Sequence, residues 1–399
     1  MKESDLTVGL LAGQDEDWLA GSFHVQAVAR SLSALPETLR PSLDLLIRRD
    51  MNQDLYMPIE DLISVAETYD CHRPYTFTGR FQHACMSLLQ KQHLPRWLDD
   101  AAKCRHVDVL APCMQSLGSD FSLPWVGWVP DFQHLYLPEM LNEDQRKTRD
   151  RNYQAIVDDA SHVVVGSNQA SDDLQHHHGA DPGHISVYRF RALADPDWFD
   201  PDPKTVANDY GLPERFLMFP SQYWRHKDHL VLIEAIAAMK QGGHKDVCLV
   251  LTGKGEDRRH PGHPVLLQDR ISELGLEKQV RQLGPLPRMQ QLQLMRRACA
   301  IVSPSRFEGW SMLVEDCRCL GKMVVLSDIS VHREQAYPQA RFFGVGDVDG
   351  LASLLSEQWS DLSPGPNLIL EKEAREENER LMLENGEMLL QLFKRITNR

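Results

Sequence analysis

No apolar run in this sequence approaches the ~18 residues that a membrane-spanning helix requires, which argues against an integral helical membrane protein. Positive charge is in deficit: 43 Lys and Arg stand against 57 Asp and Glu, a formal net charge of −14. Such a surface repels a polyanion over most of its area, and no nucleic-acid partner is expected. A small anion pocket, lined locally by Arg, Lys and helix N-termini, stays compatible with that balance. The eight cysteines, at positions 71, 85, 104, 113, 248, 299, 317 and 319, contain no Cys-x-x-Cys pair and sit mostly in apolar runs such as "DVCLVL". They read as reduced, buried thiols rather than a disulfide framework. The opening "MKESDLTVGLLAG" carries acids where a signal peptide needs a basic stretch and a long apolar core. The expected location is the cytoplasm, with peripheral contact at the inner face of a membrane left open.

Apparent metal motifs are equally weak. His176–His178 are adjacent, and three successive residues on a helix point three ways, so they cannot share one ion. The two Asp-Pro-Asp triplets between Asp195 and Asp202 are turn chemistry. No metal and no cofactor are expected. "GLLAGQ" and "LAGSFHVQ" place Gly9, Gly13, Gly21 and Ser22 after a first strand and ahead of a helix. They do not complete a dinucleotide fingerprint, so hydride chemistry is disfavoured. No internal repeat and no low-complexity segment is present.

What remains is an ordinary soluble composition, 42% apolar and 25% charged over 399 residues, long enough for two or three domains. Twelve short apolar segments read as strands. The first half offers "LTVGLLA", "SLDLLI", "VDVLAPC", "PWVGWVP", "SHVVVGS" and "HISVYRF", with helical patterns at 23–35, 81–104 and 142–160 between them. The second half offers "RFLMFPS", "VCLVLTG", "VRQLGPL", "CAIVSPS", "MVVLSD" and "RFFGVG", again with helices between. Apolar strands alternating with helices imply parallel sheets covered on both faces. The stretch Arg191 to Glu214 is rich in Pro and Asp and reads as a linker. The expectation is α/β: two doubly wound domains, 1–195 and 196–365, with a helical tail over 366–399 packing across both. In such sheets ligands bind outside the carboxyl ends of the strands, here in a cleft between the domains.

Chemistry concentrates at strand ends. "SPSRFEGWSMLVED", Ser303 to Asp316, reads as strand, turn and helix. The amides of Gly309, Trp310, Ser311 and Met312 would open the helix without intrahelical acceptors, a seat for a diphosphate. Glu308 stands before that seat, where it could bind sugar hydroxyls, and Glu315 or Asp316 could grip a ribose diol. The structural alternative makes Glu308 an acid of the N-cap region and Glu315 and Asp316 surface helix acids. In "FPSQYWRHKDH", Gln222, Arg225, His226 and Lys227 cluster after another strand. Cations at a helix N-terminus are disfavoured unless an anion lies between them. Lys227 and Arg225 could therefore neutralise a diphosphate leaving group. Gly253 and Lys254 of "LTGKGED" suit a tight strand-end loop, and "WVPDFQH" ends a strand with Asp131 and His134, either of which could orient an acceptor hydroxyl.

The run "SPSRFEGWSMLVEDCRCLGKMVVLSDISVHREQ" resembles the Glu-x7-Glu region of retaining GT-B glycosyltransferases of family 4 (group 1), especially a mannosyltransferase-like bacterial subgroup. "PSQYWRHKDH", "LTGKGED", "VRQLGPL" and "WVPDFQHLYLPE" fit the same subgroup in the same order. The resemblance implies the GT-B architecture, two Rossmann-like domains facing a cleft with a C-terminal helix crossing back. It implies transfer of a sugar, mannose in that subgroup, from a GDP- or UDP-linked donor to a glycan or lipid-linked acceptor, with retention and without metal. Residue by residue, Glu308 contacts the donor sugar and the Gly309–Ser311 amides lie near the diphosphate. The second family glutamate falls on Asp316, with Glu315 one position early. The family's phosphate-binding Arg and Lys land on Gln222 and Lys227, and Arg225 stands in for the missing charge. Gly21 and Ser22 fall on a small-residue donor loop, and Val280 to Leu286 face the base. The family histidine is replaced by Pro130, with His134 nearby. Those departures keep a nucleotide-sugar-binding protein without turnover in play; a nucleotide-sugar 2-epimerase on the same fold is a further alternative, which would need an acid/base set absent from the recognised segments. Oligomeric state is not legible.

Overall fold

Burial on both faces explains why the strands carry uninterrupted apolar runs. In the computed structural model, which describes residues 5–13, 19–49, 51–69, 98, 101–103, 105–193 and 195–399, strands such as Leu217–Pro220 and Ala300–Ser303 are buried at every position. Alternation is a signature of half-covered sheets, and the central strands here are covered on both faces, with only edge strands such as β10 and β13 partly open. The described residues form two all-parallel sheets. The first contains β1 (Thr7–Leu11), β2 (Ser42–Arg48), β3 (Val65–Tyr69), β4 (Val109–Cys113), β5 (Trp125–Val129), β6 (His162–Val165) and β7 (Ile185–Val187). Its order is β3-β2-β1-β4-β5-β6-β7. The second contains β8 (Leu217–Pro220), β9 (Leu249–Thr252), β10 (Val280–Gly284), β11 (Ala300–Ser303), β12 (Val324–Ser327) and β13 (Ala340–Phe343), ordered β10-β9-β8-β11-β12-β13. Each chain path starts mid-sheet, winds to one edge, returns and winds to the other, the doubly wound arrangement.

The chain divides into two compact units. One comprises Met1–Asp131, Lys147–Leu193 and Glu379–Arg399; the other comprises Phe132–Arg146 and Ala194–Asn378. The core of the second packs Leu232, Ile233 and Ile236 of the helix His229–Gln241 with Leu217, Leu249 and Val302 of the sheet and Leu351 and Leu355 of the helix Val348–Trp359. Twelve strands fall where the apolar segments predict them. The thirteenth, β3, is an addition: "VAETY" lies at a sheet edge and carries Glu67, so its apolar signal is weak. The helix expected at 23–35 begins earlier, at Leu19, which brings Gly21 and Ser22 into its first turn rather than into a loop. The helix expected at 81–104 lies almost wholly outside the described residues, as do Cys71, Cys85 and Cys104. Cys113, Cys248, Cys299, Cys317 and Cys319 are buried free thiols.

The last helix, Leu368–Thr397, is shared between the units. Its start is held in the second by a buried bidentate pair, Arg296 to Glu371 at 2.7 and 3.0 Å. Its end belongs to the first, where Phe393 is fully buried and Gly386 lies against the helix Leu19–Ser33. A Cβ on Gly386 would come within 2.1 Å of the Ser31 carbonyl oxygen, a backbone atom that cannot swing aside. Overpacking of this kind costs about 1–3 kcal/mol. Gly386→Ala is therefore expected to lower the melting temperature by roughly 3–10 °C. Thermal unfolding checks this, and an unchanged melting point would mean the two helices separate without cost.

Candidate active site

The topological switch of the second sheet falls between β8 and β11, which pair side by side while their connections run to opposite edges. A crevice forms at the carboxyl end of such a switch because the two following loops diverge. The loop after β8 turns through a short 3-10 segment, Arg225–Lys227, before the helix at His229; Asp228 between them adopts the left-handed conformation at φ 54°. The loop after β11 carries Glu308 and Gly309 to Ser311, which stands at the N-cap position of the helix Met312–Cys319 without a side-chain capping bond. Here the structure brings together the two residues that carry the sequence argument. Lys227 Nζ donates to Glu308 Oε1 at 2.6 Å, with side-chain exposures of only 16% and 11%. Burial acts to raise the Glu308 pKa, but Lys227, His332 and His226 outweigh it, and the carboxyl stays below its ordinary range. A carboxylate held ionised in a mostly dry place is a strong hydrogen-bond acceptor for hydroxyl groups.

Backbone ties hold the loops in register. The Arg306 amide donates to the His226 carbonyl at 2.8 Å, joining the β8 and β11 loops. Asp257, buried in the loop after β9, accepts from the amides of Arg225 at 2.9 Å, Arg259 at 2.9 Å and His260 at 3.1 Å. Burial pushes its pKa up, yet those amides more than offset it and the carboxyl lies low. Gly253 donates to the Gly284 carbonyl at 2.9 Å, and the Tyr223 amide to the Lys254 carbonyl at 3.2 Å. Four strand ends are thus laced together around Lys227. Sequence reasoning missed Asp257, although "LTGKGED" was in view, because a buried acid serving three amides looks locally like any turn aspartate.

Several expected contacts are corrected. Ser311 is not an unengaged donor for a phosphate: its amide donates to Gln335 Oε1 at 2.9 Å, and Gln335 Nε2 returns to the Ser311 carbonyl at 3.0 Å and to Glu315 Oε1 at 2.9 Å. Nor are Glu315 and Asp316 surface acids, being 1% and 3% exposed. Arg318 Nε lies 3.4 Å from the Glu315 carboxylate, and Asp316 accepts from Arg288 at 2.6 Å. The face of the helix that bears them is turned inward, onto Gln335 and the arginines, so both carboxylates are committed to protein partners. Trp310 is buried, Gly309 and Met312 half-buried, Gln222 and Leu286 half-buried, and Arg225 and Lys254 exposed.

Asp131 follows β5 by two residues in the first unit and is paired to Arg149 at 2.8 Å. His134 is buried in the short helix Gln133–Tyr136, which belongs to the second unit. That segment contributes what sequence spacing did not foresee. Tyr136 stacks on Phe307, next to Glu308, with ring centroids 5.4 Å apart. Gln133 accepts from Arg259 at 3.1 Å. At the switch of the first sheet, between β1 and β4, a cavity is lined by Gly13, Gly21, Val25, Gln115 and Trp128. Ser22, beside Gly21, is buried.

The architecture is that of the GT-B fold. HepE of Anabaena, solved in complex with UDP and glucose, superposes with a TM-score of 0.69 at 16% identity, covering 97% of this chain and 99% of its own. A glycosyltransferase from Rickettsia africae superposes at 0.67, also at 16% identity, over 98% of each chain. Residues 207–361, within the second unit, match the family model of glycosyl transferases group 1. A D-inositol 3-phosphate glycosyltransferase of Corynebacterium kroppenstedtii is 28% identical over 178 residues, 43% of this chain and 39% of the relative. The chain thus spans about two fifths of the length of that curated relative.

Proposed function

We propose that this protein is a glycosyltransferase that moves a sugar from a nucleotide-diphosphate sugar to a hydroxyl of a glycan or lipid-linked acceptor, with retention and without metal. The observation that carries the reading is the Lys227–Glu308 pair at the β8/β11 switch, an ionised carboxylate and an ammonium 2.6 Å apart where two diverging loops open. Glu308 would hold hydroxyls of the donor sugar. Lys227, with the exposed Arg225, would meet the diphosphate as negative charge develops on the leaving group, which is transition-state stabilisation. Gly309 and the first amides of the helix Met312–Cys319 would add backbone donors. Asp131 and His134 would serve the acceptor, and the helix turn of Gly21 and Ser22 with the loops of Gly253, Lys254 and Leu286 the donor. The group 1 match over 207–361 supports the donor half of this assignment. HepE has been solved with UDP-glucose, which favours a UDP-linked donor over the GDP-mannose of the resembling subgroup. The named acceptor of the curated relatives is D-inositol 3-phosphate, which adds a phosphorylated polyol to the acceptors worth trying.

One observation favours a second reading, a nucleotide-sugar-binding protein without turnover: Glu315, Asp316 and the Ser311 amide are already taken by Gln335, Arg318 and Arg288. A melting-temperature screen of UDP-, GDP- and ADP-sugars, followed by a donor-hydrolysis assay, separates the two. A donor at a hundred times its Kd adds about 2.7 kcal/mol of stability, a rise of roughly 5–10 °C. A shift with slow hydrolysis is the expected result. A shift with no hydrolysis favours the binding protein, and no shift with any nucleotide sugar overturns both.

A further inference from the structure

His332, in the "SDISVHREQ" run after β12, is fully buried and has no role in the reading so far. Its Nδ1 lies 2.9 Å from the Ser327 carbonyl oxygen, which carries no proton, so Nδ1 must be the protonated nitrogen. The neutral ring therefore presents a lone pair at Nε2, and that atom is buried with no hydrogen-bond partner among the described residues. Buried polar atoms are rarely left so. Nδ1 also lies 3.2 Å from Ser327 Oγ, which donates to the Ser305 carbonyl at 2.5 Å, so the ring sits against the base of the loop that carries Glu308, and the charges of Glu308 and Lys227 act on it. Burial depresses the His332 pKa first, Glu308 and the Ser327 carbonyl draw it back up, and Lys227 pushes it down. Glu308 has its positive charge from Lys227, 2.6 Å away, while the His332 ring stays neutral.

We propose that His332 is a positioning residue that takes up a proton when an anionic donor draws Lys227 to its diphosphate, and so replaces the lysine as the partner of Glu308. The proton comes from bulk buffer and ends on Nε2, the one ring position still open; no other bond changes. The imidazolium then donates towards Glu308 while Nδ1 stays anchored on Ser327. The carboxylate that must grip the sugar is thereby neither stranded without a cation, which is costly in a buried setting, nor left to follow the lysine. This inference rests on the donor-site reading above, because it needs a diphosphate to recruit Lys227.

Calorimetric titration of the full chain with UDP, UDP-glucose and GDP-mannose, in buffers of different ionisation heat, measures the linked proton directly. At about pH 7.5, above the phosphate pKa of about 6, uptake by the nucleotide itself is minor. Wild-type protein should take up a large fraction of about one proton per nucleotide bound. His332→Asn keeps an amide for Ser327 and removes the titrating nitrogen; it should bind about tenfold more weakly and without uptake. His332→Gln carries the same test should the asparagine variant not fold. Nucleotide binding without proton uptake in wild type, or equal uptake in H332N, overturns the role of His332 and leaves the donor site standing. Failure of wild type to bind any of the nucleotides ends the donor-site reading and this one with it.

Discussion

Glu308→Gln is expected to cut sugar transfer about a hundred- to a thousandfold, the usual effect of removing one aimed electrostatic contact, while UDP binds as tightly as before or tighter. Glutamine keeps the shape of the side chain and can still hydrogen bond, but it removes the anion that now holds Lys227 at 2.6 Å. An unpaired lysine at that place is freer to meet a diphosphate, so ground-state affinity and turnover should move in opposite directions. Stability should fall as well. Breaking a fully buried pair costs about 3–5 kcal/mol, and here the partners retain 16% and 11% exposure, so a smaller loss is expected. The pH dependence has a definite sign. Because the Glu308 carboxyl titrates below its ordinary range in the folded state, the pair stabilises at neutral pH and its contribution disappears as pH falls through the folded pKa. The glutamine variant should lack that part of the acid-side decline. Steady-state kinetics, UDP titration and urea midpoints across acid pH test all three. Wild-type turnover in E308Q would remove Glu308 from the chemistry.

Much of this was legible beforehand because parallel strands covered on both faces write themselves as apolar runs. β8, β9, β11 and β12 each carry such a run, and their alternation with helices suffices for a doubly wound sheet. β3 was not legible, since an edge strand needs little apolar content and "VAETY" has an acid at its centre. Lys227 and Glu308 could be nominated separately from their loops. Their meeting follows from the order of strands β8 and β11, a fact about topology that lies 81 positions apart in the chain. The Ser311–Gln335–Glu315 cluster was hidden for the same reason: Gln335 reaches back 24 and 20 positions to its partners. Local spacing made Glu315 and Asp316 look available because a helix exposes some face to solvent. Which face it exposes is decided by Arg288, Arg318 and Gln335. His332 carries no local signal of a role, since its interest lies in one buried nitrogen that has no hydrogen-bond partner among the described residues.

Gly253→Ala should damage stability and transfer together, and Gly255→Ala, two residues further on, should damage neither. Gly253 sits at φ +110°, a region that side-chain-bearing residues rarely enter and that costs about 1–3 kcal/mol when forced. A Cβ there would also lie 2.4 Å from the Ser221 carbonyl oxygen and 2.7 Å from its carbon, both backbone atoms. Relief requires the β8 and β9 loops to part, which adds about 1–3 kcal/mol of overpacking. Ser221 opens the loop that ends in Lys227, and the Tyr223 amide is tied to the Lys254 carbonyl, so the displacement is passed straight to the ammonium. A shift of about 1 Å at a reacting centre can cost about a hundredfold in rate. Gly255 has open space where its Cβ would be, which makes it the control within the same loop. Urea midpoints and donor turnover for both variants decide the matter. Should G253A melt and turn over like wild type, the laced loops are softer than their hydrogen bonds indicate, and Lys227 owes its place to Glu308 alone.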